Sequence, residues 1–588
     1  MPKPLVAERA LMRGLAALLL ILAGVLPAQA DRAAPEAASG FAQVSLARSP
    51  QAMVVTANPH ASRAAADVLR EGGHAVDAAI AAALVLNVVE PQSAGIGGGV
   101  FLLHFDARHR ALVAWDGRET APAAADTALF LRDGRPMPFF DAVVGGLAVG
   151  PPGLLRTLEA AHRESGRLPW ARLLAPAIAL AEQGFAVSPR LHALLDGDRF
   201  LRDDPAARAL FYLPDGGAVP VGHVLRNPAL AAVLRRVAEQ GADVLHRGDI
   251  ARDIVAAVRR APSPGVLSEA DLADWRPQRR EALCGAYRVV RVCGMPPPSA
   301  GGGTVLAILG LLERFELSAL DADSAFVTHL FAEAGRLAFA DRDAWYGDPQ
   351  SMTVSASALL DPAYLRQRAA LIGLSASIGQ APAGRPERRD APSRQASERP
   401  ATTHVSIVDA AGNAVALTAS IENAFGSRRM VHGFLLNNQL TDFAFRPEAD
   451  GVLHPNRVVA GRRPLSSMAP TMVFDADGRL YAVLGSPGGS RIINYVAATL
   501  VGLLDFGLAP EVLLSRPHAG SRNGPTEVED TPAGRALGER LRAFGHEVVA
   551  RPMTSGTALI VRDAEGWLGA ADPRREGLAL GVSRAEPD

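Results

Sequence analysis

Thr402 and Thr403 stand at the sharpest change of composition in this 588-residue sequence. Residues 375–401 are rich in Pro, Ser, Arg, Glu and Gly and contain almost no large apolar residues, so they cannot bury enough surface to become ordered. From Thr402 onward, alternating apolar and polar residues predict a strand. A flexible arm that runs directly into a core strand is typical of a processing site, although composition alone favours a simple interdomain linker.

If this boundary is a processing site, an internal threonine could cleave it by a defined chemistry. Its hydroxyl is a poor nucleophile until a base removes its proton, and inside a chain the residue has no free amine. The first step would therefore be attack of Thr402 Oγ on the Ala401 carbonyl, followed by hydrolysis of the resulting ester. This cleavage frees the Thr402 α-amino group, which titrates near pH ~8 and can act as a general base at neutral pH. Nucleophile and base would then reside in one residue.

The residues that follow carry a recognisable signature. The run from Thr402 to Gly426 closely resembles the signature of the γ-glutamyltransferase family of N-terminal-nucleophile hydrolases, with Ser420 where that family usually has Thr. Matching motifs cover essentially the whole chain after residue 30. They are Gly97-Gly-Gly99, Asp116-Gly-Arg118-Glu119, Met295-Pro-Pro-Pro-Ser299, Leu435-Leu-Asn-Asn-Gln439, Asp442-Phe443, Arg463-Pro-Leu-Ser466-Ser467-Met468 and Gly485-Ser-Pro-Gly488-Gly489.

The resemblance implies an α+β fold, specifically a four-layer αββα sandwich with two antiparallel sheets between layers of helices. It also implies that the precursor cuts itself between Ala401 and Thr402. The products would be a large subunit (residues 31–401) and a small catalytic subunit (residues 402–588) that remain associated. The implied activity is cleavage of the γ-glutamyl amide of glutathione-like donors through an ester on Thr402, with water, an amino acid or a peptide as acceptor. No metal or organic cofactor is implied.

Side chains in the matching motifs suit the two charged ends of a γ-glutamyl group. Arg118 fits the α-carboxylate because its planar fork binds carboxylates bidentately, although an arginine taken alone is more often a solvated charge. Asp442 fits the α-ammonium. Further acceptors, and hydroxyls for the carboxylate or nearby backbone, are expected from four residues: Glu422, Gln439, Ser466 and Ser467.

Acyl transfer also needs hydrogen-bond donors for the developing oxyanion. Gly488 and Gly489 can offer adjacent backbone N–H groups with no side chain in the way, although a lone Gly-Gly would indicate only a turn. By the family pattern, Thr403 and Ser420 lie close to the nucleophile and orient its hydroxyl and amine. His404 is interpreted as a structural histidine of the strand rather than a base.

The elements that must position these residues follow from sequence periodicity. Strands are predicted from Thr402 and over 414–420, joined by a turn at Gly412-Asn413, and over 100–105. The glycines before Val100 follow a helix and precede a strand, which is the wrong order for a dinucleotide-binding loop and indicates close packing instead. Helices are predicted over 61–71, 76–88, 170–182, 325–343 and from about residue 304.

The N-terminus has the pattern of an export signal. Basic residues precede an apolar run over 15–26, and Ala28-Gln29-Ala30 follows, so residues 1–30 are interpreted as a signal peptide. A membrane anchor would need about 20 apolar residues. We therefore expect a periplasmic or secreted protein with no membrane span after processing. The 60 basic and 61 acidic residues nearly cancel, which argues against a nucleic-acid partner.

The sequence contains two cysteines, Cys284 and Cys293, too few for a zinc site made of cysteines. A hairpin turning at Arg288-Val289 would place them opposite each other, and an exported protein could oxidise them. Neither turn residue accepts a positive φ readily, so two separate reduced cysteines are predicted.

Two other functions share parts of this pattern. A glutaryl- or cephalosporin-type acylase would keep the fold and the nucleophile and change only the acyl group. A processed but catalytically silent binding protein would keep the fold alone, and the presence of Thr402, Arg118 and Asp442 argues against it. The sequence leaves open the physiological substrate and the balance of hydrolysis over transfer.

Overall fold

The computed structural model describes residues 42–386, 401–449 and 451–583. The predicted signal peptide, residues 1–30, lies outside these residues. Within the described part of the chain, no helix is long and apolar enough to cross a bilayer.

Two seven-stranded antiparallel sheets organise the described residues. In chain order their strands are β1 (Ser45–Ser49), β2 (Ala52–Thr56), β3 (Gly99–Asp106), β4 (Ala111–Gly117), β5 (Gln278–Glu281), β6 (Leu283–Tyr287), β7 (Val290–Gly294), β8 (Ala401–Val408), β9 (Ala414–Glu422), β10 (Thr471–Phe474), β11 (Leu480–Gly485), β12 (Ala558–Asp563), β13 (Gly566–Ala571) and β14 (Leu578–Val582). The first sheet has the order β14-β2-β8-β9-β3-β4-β5, and the second has the order β1-β13-β12-β11-β10-β7-β6.

Smaller sheets lie outside these two. They are the three-stranded sheet Ala519–Ser521, Thr526–Glu529 and Val548–Arg551, and the ribbons Leu131–Arg132 with Arg135–Pro136, Phe185–Ala186 with Val224–Leu225, Met430–Val431 with Phe434–Leu435, and Glu448–Ala449 with Val452–Leu453.

The α-helices, in chain order, are α1 (Pro59–Arg70), α2 (Ala75–Val89), α3 (Phe139–Val143), α4 (Leu154–Ser165), α5 (Trp170–Gln183), α6 (Pro189–Gly197), α7 (Pro205–Phe211), α8 (Pro228–Gln240), α9 (Asp249–Arg259), α10 (Glu269–Asp274), α11 (Gly301–Leu312), α12 (Ala325–Trp345), α13 (Ala356–Leu359), α14 (Pro362–Ala369), α15 (Ile492–Leu504), α16 (Pro510–Ser515) and α17 (Pro532–Arg542). Short 3₁₀ helices span Leu201–Asp203, Ala242–Leu245, Leu317–Ala319, Gln439–Asp442 and Gly489–Arg491. The predicted helices are confirmed, and their ends agree with the predicted ones to within three residues.

Side chains alternate across the first sheet because successive residues of a strand point to opposite faces. On β8, Val405 and Ile407 belong to an apolar core shared with α1 and α2. Val408 belongs to a second core that contains the facing strands of the other sheet. The His404 ring, on this second face, lies so close to Gly485 of β11 that a side chain there would not fit. The first sheet therefore lies between helices on one face and the second sheet on the other.

The hairpin formed by β6 and β7 corrects the cysteine prediction. Cys284 and Cys293 are directly paired, with Cα atoms 4.1 Å apart, and form a disulfide. Arg288 adopts a φ of 53°, the conformation that was expected to be unfavourable. Its guanidinium donates to Asp505 (2.8 Å) and to the Phe315 carbonyl (2.7 Å). The prediction of reduced cysteines is wrong because these tertiary hydrogen bonds hold the turn residue in the left-handed region.

Part of the segment predicted to be a flexible arm is anchored. Ser377 Oγ donates to Glu333 (2.7 Å), and Gly384 N–H donates to Asp341 (2.6 Å); both carboxylates lie on α12. This part of the segment is therefore held against α12 by hydrogen bonds, because the buried carboxylates of that helix need donors. Residues 387–400 of the predicted arm lie outside the described residues.

Candidate active site

Thr402 lies on β8 directly opposite Ser420 of β9. Residues opposite each other in an antiparallel pair share a face, so both hydroxyls lie on the face that meets the second sheet. The predicted turn at Gly412 is confirmed, and its φ of 84° suits glycine. The pairing shifts between Ala401 and Thr402, so the regular ladder ends at the bond predicted to be cut.

Ser420 contacts that bond in the uncut chain. Its hydroxyl donates to the Ala401 carbonyl oxygen (2.6 Å), and its oxygen accepts the N–H of Glu422 (2.9 Å). A donated hydrogen bond stabilises the negative charge that develops on this oxygen when the carbonyl carbon is attacked. This hydrogen bond would therefore favour nucleophilic attack on the Ala401 carbonyl carbon.

One pocket brings together most of the predicted site residues. It is lined by Arg118, Thr402, Ser420, Glu422, Gln439, Asp442, Ser466, Ser467, Met468, Gly489 and Ile492. Ala401 and Gly488 are outside this lining but are chain neighbours of residues within it. Met468 and Ile492 add apolar surface to the pocket that sequence reasoning did not assign.

The structure does not bring Thr403 into this pocket. Strand alternation places its side chain on the face of Val405 and Ile407, which pack with α2. Its buried hydroxyl has no hydrogen-bond partner among the described residues. The expected orienting role therefore fits Ser420, which lies beside the nucleophile, and does not fit Thr403.

Gly488 and Gly489 lie at the start of a helical run in which the 3₁₀ turn Gly489–Arg491 continues into α15. Their φ angles are 132° and 60°, a region that favours glycine. Neither backbone N–H donates a hydrogen bond to any residue that the structure describes. Unpaired N–H groups at the positive end of a helix dipole suit the binding of an anionic oxygen.

Arg118 and Asp442 form a buried ion pair at another wall of the pocket. Arg118 Nη2 lies 2.5 Å from Asp442 Oδ2, with 1% and 8% of the two side chains exposed. The guanidinium also donates to the carbonyls of Leu465 (Nη2, 2.6 Å) and Pro464 (Nε, 3.3 Å). Arg118 Nη1 has no hydrogen-bond partner among the described residues. That nitrogen is therefore available to a carboxylate in the pocket.

Acceptors cluster around Asp442. The 3₁₀ turn Gln439–Asp442 places its first and last residues on one side, where Gln439 Nε2 donates to Asp442 Oδ2 (3.2 Å). The Gln439 Oε1 atom is buried and has no partner among the described residues. Glu422, at the end of β9, accepts a hydrogen bond from Asn438 Nδ2. This wall can therefore receive a positively charged group.

Ser466 and Ser467 can act as hydrogen-bond donors, in contrast to the acceptors around Asp442. Ser466 Oγ accepts the N–H of Met468 (3.1 Å), and Ser467 Oγ accepts from Arg342 Nη2 (2.7 Å). Because these donors occupy oxygen lone pairs, both hydroxyl protons remain to be donated. With Arg118, the two serines suit a carboxylate.

Two arginines that hold the site were missed by sequence reasoning. Arg342 of α12 fixes Ser467, as described above. Arg575 donates from Nη1 to the Thr402 carbonyl (3.2 Å) and from Nε and Nη2 to the Thr554 carbonyl (3.3 and 3.1 Å). Both side chains are buried, but no local motif marks them, because their partners are distant in sequence.

Glu119, next to Arg118, is fully buried. Burial raises the pKa of its carboxyl to about 8, although the neighbouring Arg118 charge opposes this shift. Neither carboxyl oxygen has a hydrogen-bond partner among the described residues. A Cβ on Gly99 would lie 2.5 Å from Glu119 Oε2, which explains why the chain has glycine there. The expectation of close packing at this glycine motif is confirmed.

His404 has a structural role, as predicted. Its ring nitrogens hydrogen-bond to the hydroxyls of Thr418 (2.8 Å) and Ser406 (3.1 Å) between the sheets. Burial lowers the pKa of the imidazole to about 3, so the ring is neutral at physiological pH.

One cluster in the described part of the chain has metal-ligand residue types: His329, Glu333 and His546. His329 Nδ1 is hydrogen-bonded to His546 Nε2 (2.8 Å), and His329 Nε2 is hydrogen-bonded to the Gly373 carbonyl (2.7 Å). The carboxylate of Glu333 is paired with Arg336 (3.0 Å). These internal partners account for the cluster, which shares no residue with the Thr402 pocket.

Comparison with known proteins gives consistent matches. A sequence profile described as Gamma-glutamyltranspeptidase matches residues 61–582. The chain is 34% identical to the glutathione hydrolase proenzyme of Bacillus subtilis (strain 168), over 96% of this chain and 97% of that protein. It is 35% identical to the Acylase ACY 1 proenzyme of Pseudomonas sp. (strain SE83), over 90% and 93%. The crystal structure of cephalosporin acylase from Bacillus halodurans has a TM-score of 0.81 at 27% identity, and the match covers 95% of this chain and 100% of that one.

Proposed function

The chain belongs to the gamma-glutamyltranspeptidase family, and from this premise we propose that it is a γ-glutamyl hydrolase/transferase in which Thr402 is the nucleophile. The observation that carries the proposal is the pocket itself. It has carboxylate-binding groups at Arg118, ammonium-binding groups at Asp442, and a threonine hydroxyl beside unpaired backbone donors. A γ-glutamyl donor presents the same three features: a carboxylate, an ammonium and an electrophilic carbonyl.

Maturation begins with the uncut chain. The Thr402 hydroxyl attacks the Ala401 carbonyl carbon while Ser420 donates to its oxygen. The C–N bond then breaks, the nitrogen takes the proton that the hydroxyl has released and becomes the Thr402 amine, and Ala401 is left as an ester on Thr402 Oγ. Water hydrolyses this ester, which gives a carboxylate on Ala401 and regenerates the threonine hydroxyl.

Catalysis repeats this chemistry on the donor. The free Thr402 amine takes the hydroxyl proton as the oxygen attacks the γ-carbonyl, and the backbone N–H groups of Gly488 and Gly489 stabilise the oxyanion. The protonated amine then gives its proton to the leaving nitrogen as the amide bond breaks. Water or an acceptor amine releases the γ-glutamyl group from its ester on Thr402.

Donor recognition uses the unfilled hydrogen-bonding groups of the pocket. The α-carboxylate receives hydrogen bonds from Arg118 Nη1 and from the hydroxyls of Ser466 and Ser467. The α-ammonium donates to Asp442 and to Gln439 Oε1, with Glu422 nearby. A zwitterionic ligand therefore supplies a counter-charge to both members of the Arg118–Asp442 pair.

The proposal includes a two-chain enzyme with a four-layer αββα architecture, divided into residues 31–401 and 402–588. Support comes from the first sheet, in which β8 pairs with β2 and β9 pairs with β3. These ladders join segments on both sides of the proposed cut, so the subunits would stay associated. A periplasmic or secreted location is supported by the signal pattern and by the Cys284–Cys293 disulfide, which is typical of proteins in oxidising compartments.

An acylase is the second candidate, because acylases are among the similar proteins. A glutaryl group is a γ-glutamyl group without the ammonium, so when it binds, Asp442 keeps its bonds to Arg118 and Gln439 but gains no charge-assisted hydrogen bond from the donor. A hydrogen bond to a charged group contributes about 1.5–3 kcal/mol, so we expect the wild-type enzyme to prefer the γ-glutamyl donor about ten- to a hundredfold.

The test compares kcat/KM for γ-glutamyl-p-nitroanilide and its glutaryl analogue in the wild type and in Asp442→Asn. The substitution should remove most activity on the first donor and little on the second, so the ratio should shrink. A wild-type preference for the glutaryl anilide would instead support the acylase, and an unchanged ratio in the variant would remove Asp442 from donor recognition.

A further inference from the structure

A second pocket lies among α12, α15, α16 and α17, and it shares no lining residue with the Thr402 pocket. Its volume is about 330 Å³. Its walls are mainly apolar side chains, including Val327, Phe331, Val501, Leu513 and Leu537. A cavity of about 150 Å³ with such walls already binds benzene, so this pocket has room for a bicyclic molecule.

His518 is one of the residues that line this pocket, and its imidazole has a distinctive hydrogen-bonding pattern. Its Nε2 lies 2.6 Å from Ser555 Oγ, and the Ser555 hydroxyl donates to Asp572 Oδ2 (2.6 Å). Because the single hydroxyl proton goes to the carboxylate, the hydrogen bond to the imidazole must use a proton on Nε2. His518 Nδ1 therefore carries a lone pair, and no described residue donates to it.

The other polar groups at the pocket have partners. The Thr499 hydroxyl donates to the Tyr495 carbonyl of its own helix (2.8 Å). Arg516 pairs with Asp323 (2.8 Å) and donates to the Ala322 carbonyl (2.6 Å). Burial and the nearby Arg574 charge hold the pKa of His518 well below its usual range, which keeps its ring an acceptor at neutral pH.

We propose that this pocket binds a small, largely apolar molecule that carries one hydrogen-bond donor, with the donor directed at His518 Nδ1. The apolar walls select a ligand with a hydrocarbon or aromatic body. The lone pair selects an N–H or O–H group over an ether or a methylated nitrogen, because only the donor satisfies it. A ligand carboxylate is disfavoured at this position, because it has no proton to donate to the lone pair.

A single aromatic side chain, Tyr495, connects this second pocket with the glycine pair beside the Thr402 pocket. The Tyr495 ring of α15 packs on the His518 ring, with centroids 4.3 Å apart. The same ring fills the space beside Gly488, where a Cβ would lie 2.6 Å from Tyr495 Cε2. One side chain thus separates the proposed ligand site from the proposed oxyanion loop.

Indole and 1-methylindole form a matched probe pair, because methylation removes the donor and leaves the ring system. Titration calorimetry on the purified protein should show indole binding about two- to tenfold more tightly than 1-methylindole, the range expected for one neutral hydrogen bond. His518→Phe keeps an aromatic ring against Tyr495 and removes Nδ1, so it should bind both probes equally.

A filling substitution checks the location. Ala498→Phe places a ring in the pocket and should abolish binding of both probes, whereas Ala543→Phe, at an exposed position outside the lining, should leave binding unchanged. The proposal is overturned if wild-type protein binds neither probe, binds both equally, keeps its preference in His518→Phe, or still binds indole in Ala498→Phe. These are binding measurements, so their outcome is independent of the proposed catalytic function.

Discussion

Arg118 and Arg574 are both buried arginines paired with carboxylates, yet their surroundings differ in one respect. Arg574 donates to Glu529 through Nε and Nη2 (2.6 Å each), to Asp572 through Nη1 (3.2 Å), and to the carbonyls of Leu514 and Arg516 (2.9 and 2.8 Å). Every N–H of this guanidinium is used, and its neighbouring carboxylates raise its pKa. Arg118, in contrast, leaves Nη1 without a partner among the described residues.

This difference distinguishes an arginine that stabilises the fold from one that can also bind a ligand. A saturated ion pair has no hydrogen-bonding capacity left for a ligand, so it contributes to the fold alone. Around the Thr402 pocket, several groups have no hydrogen-bond partner in the part of the chain that the structure describes: Arg118 Nη1, Gln439 Oε1 and the N–H groups of Gly488 and Gly489. Buried polar groups are normally satisfied, so several unpaired groups in one small pocket indicate where a polar ligand binds.

The largest expected effect is on stability and concerns Arg574. Arg574→Met would leave Glu529 and Asp572 buried without their partner, which should lower the free energy of unfolding by about 3–5 kcal/mol. Urea denaturation of the processed enzyme measures this. Activity per folded molecule should stay near that of the wild type. A variant with unchanged stability would mean that the saturated pair is not structural, and the comparison would fail.

Arg118→Lys should show the reverse pattern. A lysine keeps the charge but cannot form the planar fork, so kcat/KM for a γ-glutamyl donor should fall by the equivalent of about 1.5–3 kcal/mol. The free energy of unfolding should change far less than in Arg574→Met. If kcat/KM is unchanged, Arg118 does not bind the donor.

Gln439→Leu tests the smallest of these effects. The substitution removes the Oε1 acceptor and also the Nε2–H that Gln439 donates to Asp442 (3.2 Å), with little change of shape. We therefore expect kcat/KM for the γ-glutamyl donor to fall by the equivalent of about 0.5–1.5 kcal/mol. The glutaryl analogue lacks the ammonium that this oxygen would accept from, and its rate should hardly change. Equal losses on both anilides would show that Gln439 acts on the framework of the pocket rather than on the ammonium.

Much of the strand-borne half of the site was predictable from sequence. Alternation and the Gly412-Asn413 turn predicted the hairpin that sets Thr402 opposite Ser420, because register in a hairpin follows from its turn and its buried face. The glycine motif before β3 was also correctly assigned to close packing. The family was recognisable from the order of its motifs, and the profile match confirms it.

The features that the sequence did not predict depend mainly on contacts between distant parts of the chain. Arg342 and Arg575 reach the site from segments without a motif, and sequence does not show which arginines become buried. Arg288 accepted a left-handed turn conformation because tertiary groups hold it, and this overrode a local preference and allowed the disulfide. Thr403 was placed by family pattern near the nucleophile, but strand alternation alone would have put it on the other face.

The central claim is that Thr402 is both the cleavage point and the nucleophile. The most direct measurement is N-terminal sequencing and intact mass of the purified wild type beside Thr402→Ala. The wild type should give two chains, the smaller beginning at Thr402, and Thr402→Ala should remain one uncut, inactive chain. Cleavage after Ala401 in Thr402→Ala, or turnover of γ-glutamyl-p-nitroanilide by that variant, would contradict the account.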